Sequence, residues 1–148
     1  LVAVLKINGD LERIGDSAVN ICKSVLRLNR EPQLKPYIDL PRLDELVQRM
    51  VHQSLDSFVN RDSELARRIC ESDDEVDGLY KQLFRELVSF MVEEPKTVSR
   101  ALSLLLIARN LERIADHATN IAEDVVFYVE GRDIRHGIEG SEETGGEG

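Results

Sequence analysis

The chain has 148 residues, 42% of them apolar, with no Trp, four Pro and a formal net charge of -9. That supplies one ordinary core, in the composition of an all-helical protein. The acidic balance, with a pI near 4.9, lacks the basic stripe of a nucleic-acid module, so cations or basic partners are expected instead.

Apolar residues recur at Leu1, Val4, Leu5, Leu11, Ile14, Ala18, Ile21, Val25 and Leu28, which predicts a first helix over about residues 1–29. Position 1 falls inside that periodic run, as in a chain that begins within a helix. Residues 31–42, with three Pro and a Tyr, read as a linker. A second helix is expected over about residues 43–59. After a short break at Asn60-Arg61, Asp62 or Ser63 can cap a third helix that ends near Glu94. Pro95 suits the first turn of a last helix running to about Gly131. Short connections force antiparallel neighbours, so residues 43–136 read as an up-down-up three-helix bundle. Residues 137–148 are Gly-rich and carry Glu139, Glu142, Glu143 and Glu147 without a basic residue, the pattern of a disordered, solvated tail.

Cys22 and Cys70 sit in helical patterns far apart and read as reduced, buried thiols, which fits the cytoplasm. No apolar run reaches the ~18 residues of a membrane span, and no signal segment opens the chain. Any membrane contact is therefore expected through a partner.

One feature is a repeat. Residues 10–21 and 110–121 share Leu11/Leu111, Glu12/Glu112, Arg13/Arg113, Ile14/Ile114, Asp16/Asp116, Ala18/Ala118, Asn20/Asn120 and Ile21/Ile121. The first helix therefore repeats only the third member of the bundle. Its match is a three-helix bundle plus the third helix of a preceding homologous one. Its apolar stripe (Leu5, Leu11, Ile14, Ala18, Ile21, Val25) is expected to bury against a partner chain, and the intact protein to be a homodimer.

The polar positions of the repeat matter more than the apolar ones. Residues four apart lie on one helical face, so Glu12/Asp16 and Glu112/Asp116 each present two carboxylates side by side, as do Asp73/Asp77 on the neighbouring helix. Like charges at that spacing repel, and Arg13 and Arg113 or a bound cation would offset them. Asp73 also falls on the line Ile69, Asp73, Val76, Tyr80, Leu83, where an apolar residue is expected. Oxygen ligands from adjacent helices of a bundle suit hard or borderline cations, and iron, zinc, magnesium and calcium all stay open. The alternative is that these are ordinary charged helix positions paired with Arg13, Arg113, Lys81 or Arg109. His117 points about 100° away from Asp116 and has Ser17 as its counterpart, so it is expected in solvent. Asn20 and Asn120 could cap, ligate or bridge helices.

No nucleophile-base pair, phosphate cradle or Glu-x-x-His metal motif is present, since position 115 is Ala. The chain does not read as an enzyme.

Residues 110–123, followed by Val126 to Gly131 and Asp133 to His136, closely resemble the C-terminal end of the PhoU family. Residues 58–68, 73–77 and 101–109 resemble that family's second bundle, and the resemblance spans about Leu1 to His136. It implies a cytoplasmic regulator of phosphate uptake built from two three-helix bundles. Such a protein acts between the phosphate ABC transporter and a phosphate-sensing histidine kinase, repressing phosphate-starvation genes when phosphate is plentiful. It also implies metal clusters at Glu/Asp-x-x-x-Asp motifs, which fall here on Asp73, Asp77, Glu112 and Asp116, with Glu12 and Asp16 as the other bundle's equivalents. The rival reading is a structural helical dimerisation module without metal.

Overall fold

A computed structural model describes residues 1–34 and 39–142, with side chains up to Gly131. Among the described residues the fold is all-α, and four long helices carry it: α1 (Val2–Leu28), α2 (Asp39–Asn60), α3 (Ser63–Glu93) and α4 (Val98–Glu142).

Helices α2, α3 and α4 form the expected up-down-up bundle. Their shared core takes Leu43, Val47 and Met50 from α2, Ile69, Val76, Leu83 and Leu87 from α3, and Leu104, Leu111, Ile121 and Val125 from α4, all nearly inaccessible to water. Burying each such side chain stabilises the fold by roughly 1.5–3 kcal/mol. Ser54 and Ser57 are fully buried in α2, and each hydroxyl donates at 2.7 Å to the carbonyl three residues earlier. Neither serine hydroxyl is therefore left as an orphaned donor in the apolar interior.

The turns follow from local chemistry. Asp62 caps α3 by accepting from the Leu65 amide at 3.0 Å. Arg61 just before it is left-handed, with φ of 52°. Between α3 and α4 the chain makes one 3-10 turn at Pro95–Thr97. The buried Thr97 hydroxyl bridges the carbonyls of Phe90 at 3.0 Å and Glu94 at 2.7 Å, which locks the reversal.

Two boundaries differ from expectation. Helix α2 starts at Asp39, taking in Pro41, because a proline in the first turn removes an amide that has no intrahelical acceptor anyway. Residues 35–38 of the expected linker lie outside the description. Helix α4 continues through Glu142, so residues 137–142 of the expected tail are helical: no proline interrupts the run, and glycine costs a helix only about 1 kcal/mol. Residues 143–148 lie outside the description.

The first helix packs within its own chain along one of its faces. Of the other helices it touches α4 alone. The pairing is antiparallel: Asp10 reaches His117, Lys6 acts on Asp124, and Arg100 donates to the Pro32 carbonyl at 3.2 Å. The buried positions of α1 are Ile7, Asp10, Ser17, Ser24 and Leu28, with Ile14 and Ile21 half-buried between them. That is a 3.5-residue seam, the narrow stripe of a two-helix contact.

Leu5, Ala18 and Val25 of the expected stripe remain exposed. The reason is that α1 has two apolar faces that merge in the sequence. Leu1, Val4, Leu11, Ala18 and Val25 are the repeat counterparts of Ala101, Leu104, Leu111, Ala118 and Val125, which α2 and α3 cover on α4. On α1 most of that second face is open to water.

Candidate functional site

The carboxylates of α3 and α4 meet because the two helices run antiparallel with matched spacing. Asp73 is half-buried at the edge of the bundle. Its carboxyl is pushed above the usual range by burial first, then by the negative charges of Asp116, Asp74 and Asp77. Glu112, also half-buried, is pushed up by burial; Arg109 works against this, and Asp116, Asp77 and Asp73 reinforce it. Asp73, Asp77, Glu112 and Asp116 thus form one electrostatic neighbourhood spanning two helices.

Two cations answer them. Lys81 pairs with Asp77 at 2.9 Å and Arg109 with Glu112, through spacings of four and three residues. Arg113, expected to do this, is exposed and points elsewhere, since adjacent residues are 100° apart around the axis. Asp73 and Asp116 have no ion pair among the described residues. Also among the described residues, no three His, Cys, Asp or Glu side chains stand close enough to grip one ion. The donor set is nonetheless all oxygen, the kind that suits hard cations.

Glu12 and Asp16 are exposed on α1, which touches neither α2 nor α3. They lie apart from the other four, and neither contributes to the shifts of Asp73 or Glu112. Asn20 and Asn120 are both exposed.

A second polar constellation sits in the α1–α4 seam, and the sequence pattern gave it no weight. His117, expected in solvent, has its side chain only 19% exposed, with Nδ1 2.9 Å from Oδ1 of Asp10. Asp124 lies close by; burial pushes its carboxyl up, Lys6 pulls it down and Asp10 raises it again. The available signal was Asp10 itself, an acidic residue on a line with Ile7, Ile14 and Ile21. Asn110, its counterpart in the repeat, is equally buried; its amide donates to the Leu106 carbonyl at 2.8 Å, and its Oδ1 finds no partner.

Cys22 is exposed and not buried as expected, because it lies on the uncovered face of α1; Cys70 is half-buried, and burial, chiefly, pushes its thiol up. No helix is long and apolar enough to cross a membrane among the described residues.

Comparison with known proteins matches this arrangement. The whole chain aligns at 43% identity with 62% of a Zymomonas mobilis protein described as a phosphate-specific transport system accessory protein PhoU homolog. An Aquifex aeolicus protein of the same description is 44% identical over 92% of the chain and 62% of its own length. The crystal structure of PhoU from Pseudomonas aeruginosa superposes with a TM-score of 0.85 at 39% identity, covering 88% of this chain and 63% of that one. The chain thus spans about three fifths of the curated relatives it matches. The PhoU domain matches residues 40–125, the α2–α4 bundle with its carboxylates, and the chain belongs to the PhoU domain family.

Proposed function

We propose that this chain is the bundle-bearing portion of a regulator of phosphate uptake and phosphate-starvation signalling, acting in the cytoplasm as an adaptor between the phosphate ABC transporter and a sensor histidine kinase. The relatives named as accessory proteins of a phosphate-specific transport system support the transport role. A bundle whose surface carries charge but no nucleophile-base pair suits docking better than catalysis. The open face of α1, written in the same residues as the covered face of α4, supports a second homologous bundle packed on it. The part of the relatives outside the match leaves room for it.

The observation that carries the finer reading is the carboxylate neighbourhood of Asp73, Asp77, Glu112 and Asp116, two members of which have no cationic partner among the described residues. In this reading the four hold a divalent or trivalent cation, which supplies the missing positive charge. The side chains lie at the rim of the bundle and close on an ion by changing rotamer. Glu12 and Asp16 belong to the equivalent site of the other bundle.

Elemental analysis after chelator-free purification tests this. Wild-type protein is expected to retain metal, and the Glu112→Gln/Asp116→Asn double variant to lose it with its helical signal unchanged. Equal metal content in both would leave the salt-bridged structural module as the better reading.

A further inference from the structure

Along one flank of their seam, α1 and α4 leave an open cleft of about 460 Å³. Lys6, Gly9 and Arg13 line it from α1, and Asn120, Glu123 and Asp124 from α4. Spacings of three and four residues put Lys6 and Arg13 on either side of Gly9 on one helical face, and Asn120 beside Glu123 on the other wall. Gly9 leaves a gap between the two long side chains. An added Cβ would meet nothing within 4 Å there, so packing of α1 on α4 does not call for a glycine, which weakens a helix. The charges of the cleft are of both signs, and only some answer each other. The buried Asp10, which also lines it, is committed to His117, and Lys6 acts on Asp124. Arg13, Asn120 and Glu123 are exposed, and none of their side chains has a hydrogen bond or ion pair among the described residues. The repeat gives Arg13 and Asn120 the counterparts Arg113 and Asn20, but matches Gly9 with Arg109 and Glu123 with Lys23. The acid and the gap are therefore particular to this cleft and not a by-product of the duplication.

We propose that this cleft binds a free α-amino acid. The carboxylate takes the guanidinium of Arg13, whose planar fork matches two carboxylate oxygens, together with the amide of Asn120. The ammonium takes Glu123, and the α-carbon lies over Gly9, where a side chain would exclude it. Helical neighbours such as Asn120 and Glu123 have Cβ atoms about 5–6 Å apart, which suits two charged groups borne on a single carbon. Leu5, exposed at the edge of the cleft, offers the ligand's side chain an apolar contact. A bare anion would meet Glu123 and Asp124 in the same cleft, and a bare cation Lys6 and Arg13, so a ligand carrying both charges is favoured over either. The site shares no residue with the α3–α4 carboxylates and needs no bound cation.

An NMR titration of the whole chain in EDTA tests it, with L-leucine as the probe. Saturable amide shifts are expected at residues 5–13 and 120–124, with half-saturation below about 10 mM. Isocaproate, which is leucine without its ammonium, and isoamylamine, which is leucine without its carboxylate, should each bind about ten-fold or more weakly. Arg13→Gln and Glu123→Gln should each weaken leucine binding about ten-fold. Gly9→Leu should abolish it by filling the gap, with circular dichroism showing the helices kept. Absence of saturable shifts, equal binding of leucine and isocaproate, unchanged affinity in folded Gly9→Leu, or shifts centred on Lys23 and Arg113 would overturn the proposal. So would saturation of the cleft by inorganic phosphate in place of leucine.

Discussion

His117 of α4 and Asp10 of α1 share a hydrogen bond of 2.9 Å in the seam that joins the first helix to the rest of the chain. The repeat relates this pair to Ser17 and Asn110, because position 10 corresponds to 110 and position 17 to 117. Both members of the related pair are buried as well, each only 6% exposed. The seam is thus built of Ile and Leu separated by small or polar residues, and its polar members fix which turn of α1 faces which turn of α4. A buried polar pair sets register in this way because any slip leaves its groups unpaired.

Truncating one partner strands the other. Asp10→Ala is expected to destabilise the fold by about 1–3 kcal/mol, and His117→Ala by a similar amount. The double variant should cost less than the sum, with a coupling energy of about 0.5 kcal/mol or more. Hydrogen exchange adds the structural readout. Protection should fall along α1 in Asp10→Ala and stay unchanged in α3, since α1 touches α4 alone. Loosening of all four helices equally would show that the pair does not govern the seam.

The bundle was legible in the sequence because its period is plain: α3 alternates core positions at three and four, and Asp62 and Pro95 mark the helix starts. The packing of α1 was less legible, since its two apolar faces overlap in one dimension and nothing local says which one α4 takes. The α3–α4 carboxylates could be placed by spacing and topology. The Asp10–His117 pair could not, because it joins residues 107 positions apart whose repeat counterparts, Asn110 and Ser17, are different residue types. Which arginine answers Glu112 needed the helical geometry: Arg109 lies three residues back on the same face, whereas Arg113 is turned away.

Helix α4 is flanked on three sides, and its core face uses Ala101, Ala108, Ala115, Ala118 and Ala122, all fully buried. Small residues there let the neighbouring helices approach closely. Ala115→Leu should therefore cost about 1–3 kcal/mol through overpacking, whereas Leu102→Ala, at an exposed position of the same helix, should cost well under about 1 kcal/mol. Urea unfolding midpoints measure both. Similar losses would mean that the core around Ala115 accepts a larger side chain.

The turn between α2 and α3 gives a paired test with opposite signs. Asp62→Ala removes the acceptor for the Leu65 amide and is expected to cost about 1 kcal/mol. Arg61→Gly places glycine at the left-handed φ of 52°, where a side chain is strained, and should be neutral or stabilise by up to about 1 kcal/mol. Thermal midpoints moving in the same direction for both would contradict this account of the turn.

The crowding of Asp73 has a consequence for pH. Its carboxyl titrates above the ordinary aspartate range in the folded protein, through burial first and then through Asp116, Asp74 and Asp77. For an acid whose folded value is raised, the folded state binds more protons than the unfolded state across the window between the two values, so stability falls as pH rises through it. The penalty is fully present above the folded value and absent below the unfolded one. Asp73→Asn removes the charge and should stabilise the protein at pH 7, by a few tenths of a kcal/mol on the scale of like-charge helix pairs at a partly exposed site. That gain should shrink toward zero as pH is lowered through the carboxylate range, where wild-type Asp73 takes up a proton as well. Urea midpoints of the two proteins, measured in EDTA from pH 7 downward, check the sign and the window. A lower midpoint for Asp73→Asn at pH 7 would mean that the folded protein stabilises the charge at position 73, and that the carboxylates of α3 and α4 are already compensated without a cation.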